Sequence, residues 1–212
     1  MSIITPSAFG KANKSAGNVI FYQHRGQEVA RMKPAHVFNP DTVPQHRQRS
    51  KIAKLVELSH LFSPLYNKGF KYDTLKGSPY NQFVKSNIGA FYDSTSKTAL
   101  VNYELLITSK GYLQTPHIFS ASFSESEMTV YVELTSHIDD NTAYATDDVY
   151  VIVIIPYPLL LVYTTAKRSS YNEINILIPQ MEEYERPSLY VFAASDVHRQ
   201  SSNTQQTWPY VF

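Results

Sequence analysis

The sequence predicts a mainly β chain of the α+β kind, a β-sandwich with an N-terminal hairpin and a helix–loop–helix insert. Three observations lead there. From about residue 99 onward, apolar or alternating runs are separated by turn-rich pieces at intervals of ~8–14 residues, the rhythm of two packed sheets. Val149 to Ile155 is apolar almost throughout, as a strand covered on both faces must be. A helical period occurs only between residues 39 and 91.

In chain order, the first sixteen residues are rich in Ser, Lys, Ala and Gly and read as an arm that orders only against a neighbour. Gly17-Asn18 then opens Val19 to His24, Arg25-Gly26 supplies a turn, and Gln27 to Lys33 returns, which is a hairpin pattern. Asn39-Pro40-Asp41-Thr42 gives turn and N-cap chemistry, because an Asp or Thr oxygen accepts from an amide that a first helical turn leaves unpaired. After Pro44, Ile52, Leu55, Val56 and Phe62 share one helical face, and Ser63-Pro64 marks an end or a kink. Ser78 caps a second helix with Pro79 at its first position, and Tyr80, Phe83, Val84, Ile88 and Phe91 recur at helical spacing.

The strands expected after that are 99–107, 117–123, 128–136, 147–156, 159–165, 173–178, 188–195 and 206–212, in the manner of an immunoglobulin/fibronectin-like sandwich. The organisation is therefore an arm (1–16), a hairpin with two helices (17–98) and a sandwich (99–212), the last two packed as one unit.

Composition narrows the chemistry. The chain has 212 residues and no cysteine, which excludes disulfides, thiolate metal sites and a Cys nucleophile. Neither a phosphate-cradling glycine loop nor a nucleophile-elbow serine pattern is present, and glycine is scarce at seven residues. Seven histidines are spread singly. His137 with Asp139 and Asp140 is the nearest approach to a metal cluster, yet Asp and Asn in a turn serve the backbone. Glu182, Glu183 and Glu185 read as a solvated acidic surface. The expectation is a non-enzyme without metal or cofactor. The N-terminus lacks the apolar core of a secretory signal. Pro156 and Pro158 break the longest apolar run, Val149 to Tyr163, so no membrane span is expected.

Sixteen Tyr and eleven Phe suit strands and protein interfaces alike. Residues 1–70 hold ten Lys and Arg against three acidic residues, a net of +7, which leaves −6 for the rest of a chain whose total is +1. Such a division guides head-to-tail association of copies. Arg47, Arg49, Lys51 and Lys54 start the first helix as a basic interface. Direct DNA contact there is the weaker reading, because no nucleic-acid motif accompanies them.

The segments Gly17-Asn18-Val19, Arg31-Met32-Lys33-Pro34 and Asn39-Pro40-Asp41-Thr42-Val43-Pro44-Gln45 through Arg49 form a progression, GNV…RxxP…NPxTxxQxxxR. It resembles an uncharacterised family of similar length in Bacteroidetes and is similar to stretches in tailed-phage structural proteins. Asp147-Asp148, Arg168-Ser169, Leu189 to Ser195 and Tyr210 extend the likeness over most of the chain. The ending Trp208-Pro209-Tyr210-Val211-Phe212 departs from it, being apolar, and reads as a tail that must dock. The resemblance implies a scaffold motif of Gly17, Asn18, Arg31, Pro34, Asn39, Pro40, Thr42, Gln45 and Arg49. It further implies a virion structural protein, a connector, tail-ring or tail-associated subunit whose partners are copies of itself in a ring and other virion proteins. The alternative is an immunoglobulin-like binding module on a bacterial cell surface.

Overall fold

The computed structural model describes residues 2–3, 14–24, 27–36, 39–70, 77–92, 95–135, 142–169, 173–180 and 183–211. They form two compact units, 1–41 and 42–212. The chain is mainly β, with three sheets and a helical layer.

The first unit is one antiparallel sheet in the order β1-β4-β3-β2. Its centre is the expected hairpin, β3 (Val19–His24) paired along its length with β4 (Gln27–Met32). The turn expected at Arg25-Gly26 lies outside the described residues. The segment read as an arm adds two strands to the hairpin: β1 (Ser2–Ile3) beside β4, and β2 (Lys14–Ala16) beside β3.

In the second unit, α1 (Val43–Leu61) follows Thr42 as N-cap, and the side-chain oxygen of Gln45 accepts from the Thr42 N–H at 3.2 Å. That reciprocal bond satisfies a donor at the helix start. Leu55 and Leu58 are buried, whereas Ile52, expected on the same face, is exposed. At Ser63-Pro64 the chain breaks after Phe62 and restarts as α2 (Ser63–Gly69). A proline without N–H fits the first turn of a new helix better than the interior of an old one. Ser78 caps α3 (Pro79–Asn87) by accepting from Asn81 N–H at 3.3 Å.

The apolar period predicted α3 to run on to Phe91, but it stops at Asn87. The buried Asn87 amide donates to the Phe83 and Ile107 carbonyls at 2.9 and 2.8 Å, and its oxygen accepts from Ile107 N–H at 2.7 Å. One side chain thus closes the helix and pins the next segment. That pinning also corrects the strand expected at 99–107. Asn102 accepts from Glu104 N–H and turns Tyr103–Leu105 into a 3-10 turn, and of the expected pairing one bridge remains, Phe91 to Val101.

The remaining strands are β5 (Ile118–Ser124), β6 (Thr129–Leu134), β7 (Asp148–Ile155), β8 (Leu160–Lys167), β9 (Glu173–Leu177), β10 (Ser188–Ser195), β11 (Gln200–Ser201), β12 (Gln205–Thr207) and β13 (Tyr210–Val211). One sheet runs β13-β5-β6-β9; the other runs β11-β10-β7-β8, with β12 also on β10. The single strand expected at 206–212 is two, because Trp208-Pro209 carries the chain from β12 on one sheet to β13, parallel to β5, on the other.

Side-chain alternation makes β7 and β10 the middle of the unit. Val149, Val151, Val153 and Ile155, with Leu189, Val191 and Ala193, face a core shared with β5, β6 and β9. Tyr150, Ile152 and Ile154, with Tyr190 and Phe192, face the helices through Leu58, Phe62, Leu65 and Phe83. Every side chain of β10 is buried, which is why its sequence has no polar face. Tyr150 and Phe192 stack at 4.8 Å within that second cluster. Among the described residues, no helix is long and apolar enough to cross a membrane.

Candidate functional site

The scaffold-motif residues can be placed one by one. Gly17 has φ +57° in the turn from β2 to β3, a left-handed conformation that glycine takes without a Cβ clash. Asn18, beside it, accepts from Lys33 N–H at 2.7 Å through its carbonyl, which extends the β3–β4 ladder past Met32. The Arg31 guanidinium lies 5.8 Å from the Tyr22 ring centre, a cation over an aromatic face. Pro34, Asn39 and Pro40 are exposed in the stretch leading to α1. Asp41 takes φ +33° immediately before the cap, a region Asp tolerates better than most residues. Thr42 and Gln45 make the helix start, and Arg49 is exposed on α1. Of these, Gly17 and Asn18 serve a turn and a ladder, Arg31 a ring contact, and Thr42 with Gln45 a helix start.

Three cations of the basic run, Arg47, Lys51 and Lys54, contact groups of their own chain. Arg47 donates to the Ser96 carbonyl at 3.2 Å, the Lys51 ammonium sits 5.4 Å from the Phe91 ring centre, and Lys54 pairs with Glu57 at 3.0 Å. The last pair is exposed and contributes little.

Of the C-terminal residues expected to dock, the Trp208 side chain meets residues of its own chain. Trp208 donates its indole N–H to Glu104 at 3.2 Å, and the Arg186 guanidinium lies 5.9 Å from its ring while donating to the Pro209 carbonyl at 2.8 Å. Tyr210 pairs in register with Ser122 on β5. Phe212 lies outside the described residues, as do His137, Asp139, Asp140 and Glu182.

Two arrangements were not legible as pairings in the sequence. The first joins Asp147, ahead of β7, to Arg168, after β8. Both side chains are almost fully buried, with Arg168 Nε 3.5 Å from Asp147 Oδ2. Arg168 also donates to the Gln114 carbonyl at 2.6 Å, and Asp147 Oδ2 accepts from Tyr144 N–H at 3.1 Å. The pair locks the open end of the β7–β8 hairpin to two loops, and removing either partner strands a buried charge. Their partnership needs the β7–β8 register, which single positions do not reveal.

The second is a seam of hydroxyls. Thr204 Oγ1 accepts from Thr108 and Ser109 N–H at 2.9 and 2.8 Å, and Ser201 Oγ donates to the Gly69 and Lys110 carbonyls at 2.9 Å each. A side chain on Gly111 would run into the Ser201 carbonyl, so the backbones meet there directly. Both arrangements join strand to loop.

Burial also sets the phenols. Tyr190 donates to the Tyr103 carbonyl at 2.6 Å, and its removal from water pushes its pKa well above the usual phenol value. Tyr150 is raised to about 12, chiefly by burial and then by the nearby Asp148 charge. Both stay protonated at neutral pH. Among the described residues no group of three His, Asp or Glu side chains is placed to hold a metal ion.

The fold defines a mainly β protein with helices on one face of a central sheet. Residues 10–205 match a family of unknown function (DUF6266), and the chain belongs to that family. No curated protein and no solved structure matches it.

Proposed function

We propose that this chain is a structural subunit of a tailed-phage particle infecting Bacteroidetes, a connector, tail-ring or tail-associated protein that assembles with copies of itself as a cyclic homo-oligomer and with other virion proteins. The observation that carries the reading is the use made of polar and turn residues in shaping the chain. Gly17, Asn18, Thr42 and Gln45 hold turns and a cap, and Asp147 and Arg168 lock a hairpin. Residues spent on shape suit a building block better than a catalyst. The division of charge, +7 in residues 1–70 against −6 beyond, suits a heterologous interface in which unlike surfaces of successive copies meet.

The finer fold in this proposal is an immunoglobulin/fibronectin-like β-sandwich. Its support is the path of the chain: β5-β6 in one sheet, β7-β8 in the other, β9 back beside β6, then β10 beside β7. Such alternation of hairpins between two sheets is the Greek-key route of those modules. The same path favours the second reading, a binding module on a bacterial surface.

Mass spectrometry and electron microscopy of purified particles decide between them. The proposal expects the chain in particles at a fixed copy number, in a ring. Absence from particles, with a monomer persisting at high concentration, contradicts it. Neighbouring genes for portal, capsid or tail proteins favour the first reading, and genes for secretion or glycan use favour the second.

A further inference from the structure

The central sheet has two edges, treated differently. On the β11–β12 side a strap covers the edge. Leu113 N–H donates to the Ser201 carbonyl at 3.0 Å, Thr115 donates to the Asn203 carbonyl at 3.2 Å, and Gln205 accepts from Ile118 N–H at 3.1 Å. On the other side stands β8, and among the described residues no strand pairs with its outer edge. Folded chains usually blunt a free edge by shortness, by proline or by charge. Yet β8 is eight residues long, has no proline, and carries one charge, at its end: Leu-Leu-Val-Tyr-Thr-Thr-Ala-Lys. Both apolar clusters run out half-covered there, with Leu160, Val162 and Ala166 partly buried on one face and Leu161 on the other.

The register says which groups face outward. Arg168 N–H donates to the Asp147 carbonyl at 2.9 Å, and the β7–β8 pairing continues unbroken from Asp148–Lys167 to Ile155–Leu160. In an antiparallel ladder every second pair exchanges hydrogen bonds. The even-numbered residues of β8 therefore bond to β7, and Leu161, Tyr163 and Thr165 turn their N–H and C=O groups outward.

We propose that this edge is the docking site for β8 of a second copy, antiparallel about a two-fold axis at Tyr163. That register sets Tyr163 against its own counterpart and Leu161 against Thr165 of the second copy, so every outward-facing group meets an outward-facing group. It uses the whole strand from Leu160 to Ala166. The one charge of the strand, Lys167, is held by its own chain, paired with Asp148 at 2.6 Å and donating to the Thr146 carbonyl at 3.1 Å, so it lies beyond the paired span and does not oppose the contact. The contact is isologous, and it stands on the sheet edge alone, independent of whether the chain belongs to a particle or closes into a ring.

Sedimentation velocity of the full chain over a concentration series is the first test, and the expected result is a reversible dimer. Tyr163→Lys places like charges at the axis and is expected to weaken the dimer about a hundredfold. At a dilution where both are monomeric, its melting temperature should equal that of the parent, because Tyr163 is exposed at the edge. The chain has no cysteine, so Tyr163→Cys introduces a single thiol at the axis. Directly opposed Cα atoms in a bonded antiparallel pair lie about 5.5 Å apart, within disulfide reach. With diamide as oxidant, Tyr163→Cys is expected to give a linked dimer and Asn175→Cys, on β9, to remain unlinked. A parent chain that stays monomeric at the highest concentration overturns the proposal. A dimer unaffected by Tyr163→Lys, or equal linking by the two cysteine variants, overturns it as well.

Discussion

The hairpin β3–β4 and the hairpin β7–β8 are built from similar residues, Val, Ile, Phe and Tyr among them, yet their surroundings differ sharply. In residues 1–41 the one fully buried hydrophobic among the described residues is Val29, and Met32 on the same strand is 73% exposed. In residues 42–212 all of β10 and nearly all of β7 are buried, between a second sheet on one face and three helices on the other. Strand propensity does not separate the two regions. Burial does, because a sheet gains stability from apolar area removed from water on its faces. The central sheet of 42–212 is therefore covered on both faces by its own chain, whereas few side chains of the sheet of 1–41 are buried.

The strongest way to break the comparison is to cut into the covered sheet. Phe192→Ala should cost about 3–5 kcal/mol, since Phe192 is fully buried between Tyr150 and the helices. Urea unfolding followed by Trp208, the single tryptophan, reads it. Val29→Ala, the matching cut in the thin sheet, should move the same transition by about 1.5 kcal/mol or less. Asp147→Ala is expected to cost about 3–5 kcal/mol by stranding Arg168. A second change, Arg168→Met, should restore part of that loss in a double-mutant cycle.

A smaller effect sharpens the picture from the phenols. Tyr190→Phe leaves the Tyr103 carbonyl without its donor and should cost about 1–3 kcal/mol. The pH profile follows from the raised phenol pKa values. Above the unfolded value of about 10 the unfolded chain releases protons that the folded chain retains. Stability from these groups is thus fully present below about pH 10 and is lost as pH rises toward the Tyr150 value of about 12. Alkaline denaturation of the parent and of Tyr150→Phe measures this, and the variant should show the shallower fall. Smallest of all, Gln45→Ala should cost about 0.5 kcal/mol through the loss of one exposed capping bond.

What could be read from the sequence was local or periodic. The cap at Ser78-Pro79, the helix start at Thr42 and the doubly covered β7 run each advertise themselves within a few residues. Long-range satisfaction of polar groups decided the rest. Asn87 ends α3 and holds Ile107, twenty residues on, which overrode the strand expected at 99–107. Asp147 meets Arg168 only when the hairpin register is known, and Trp208 finds Glu104 only when the fold is closed. Gly17, Thr42 and Gln45 stand out in the sequence because turn and cap chemistry is local. The tail and the basic run were visible as surfaces in need of partners, and several of those partners are residues of the same chain.

Hydrogen–deuterium exchange of the full chain, compared between a dilute monomer and the assembled form, tests most directly whether this molecule is made to be completed by others. The account predicts slow exchange on β7 and β10 in both states, with β3 and β4 fast in the monomer and slowed on assembly. Equal protection of β3 and β4 in a verified monomer would contradict it.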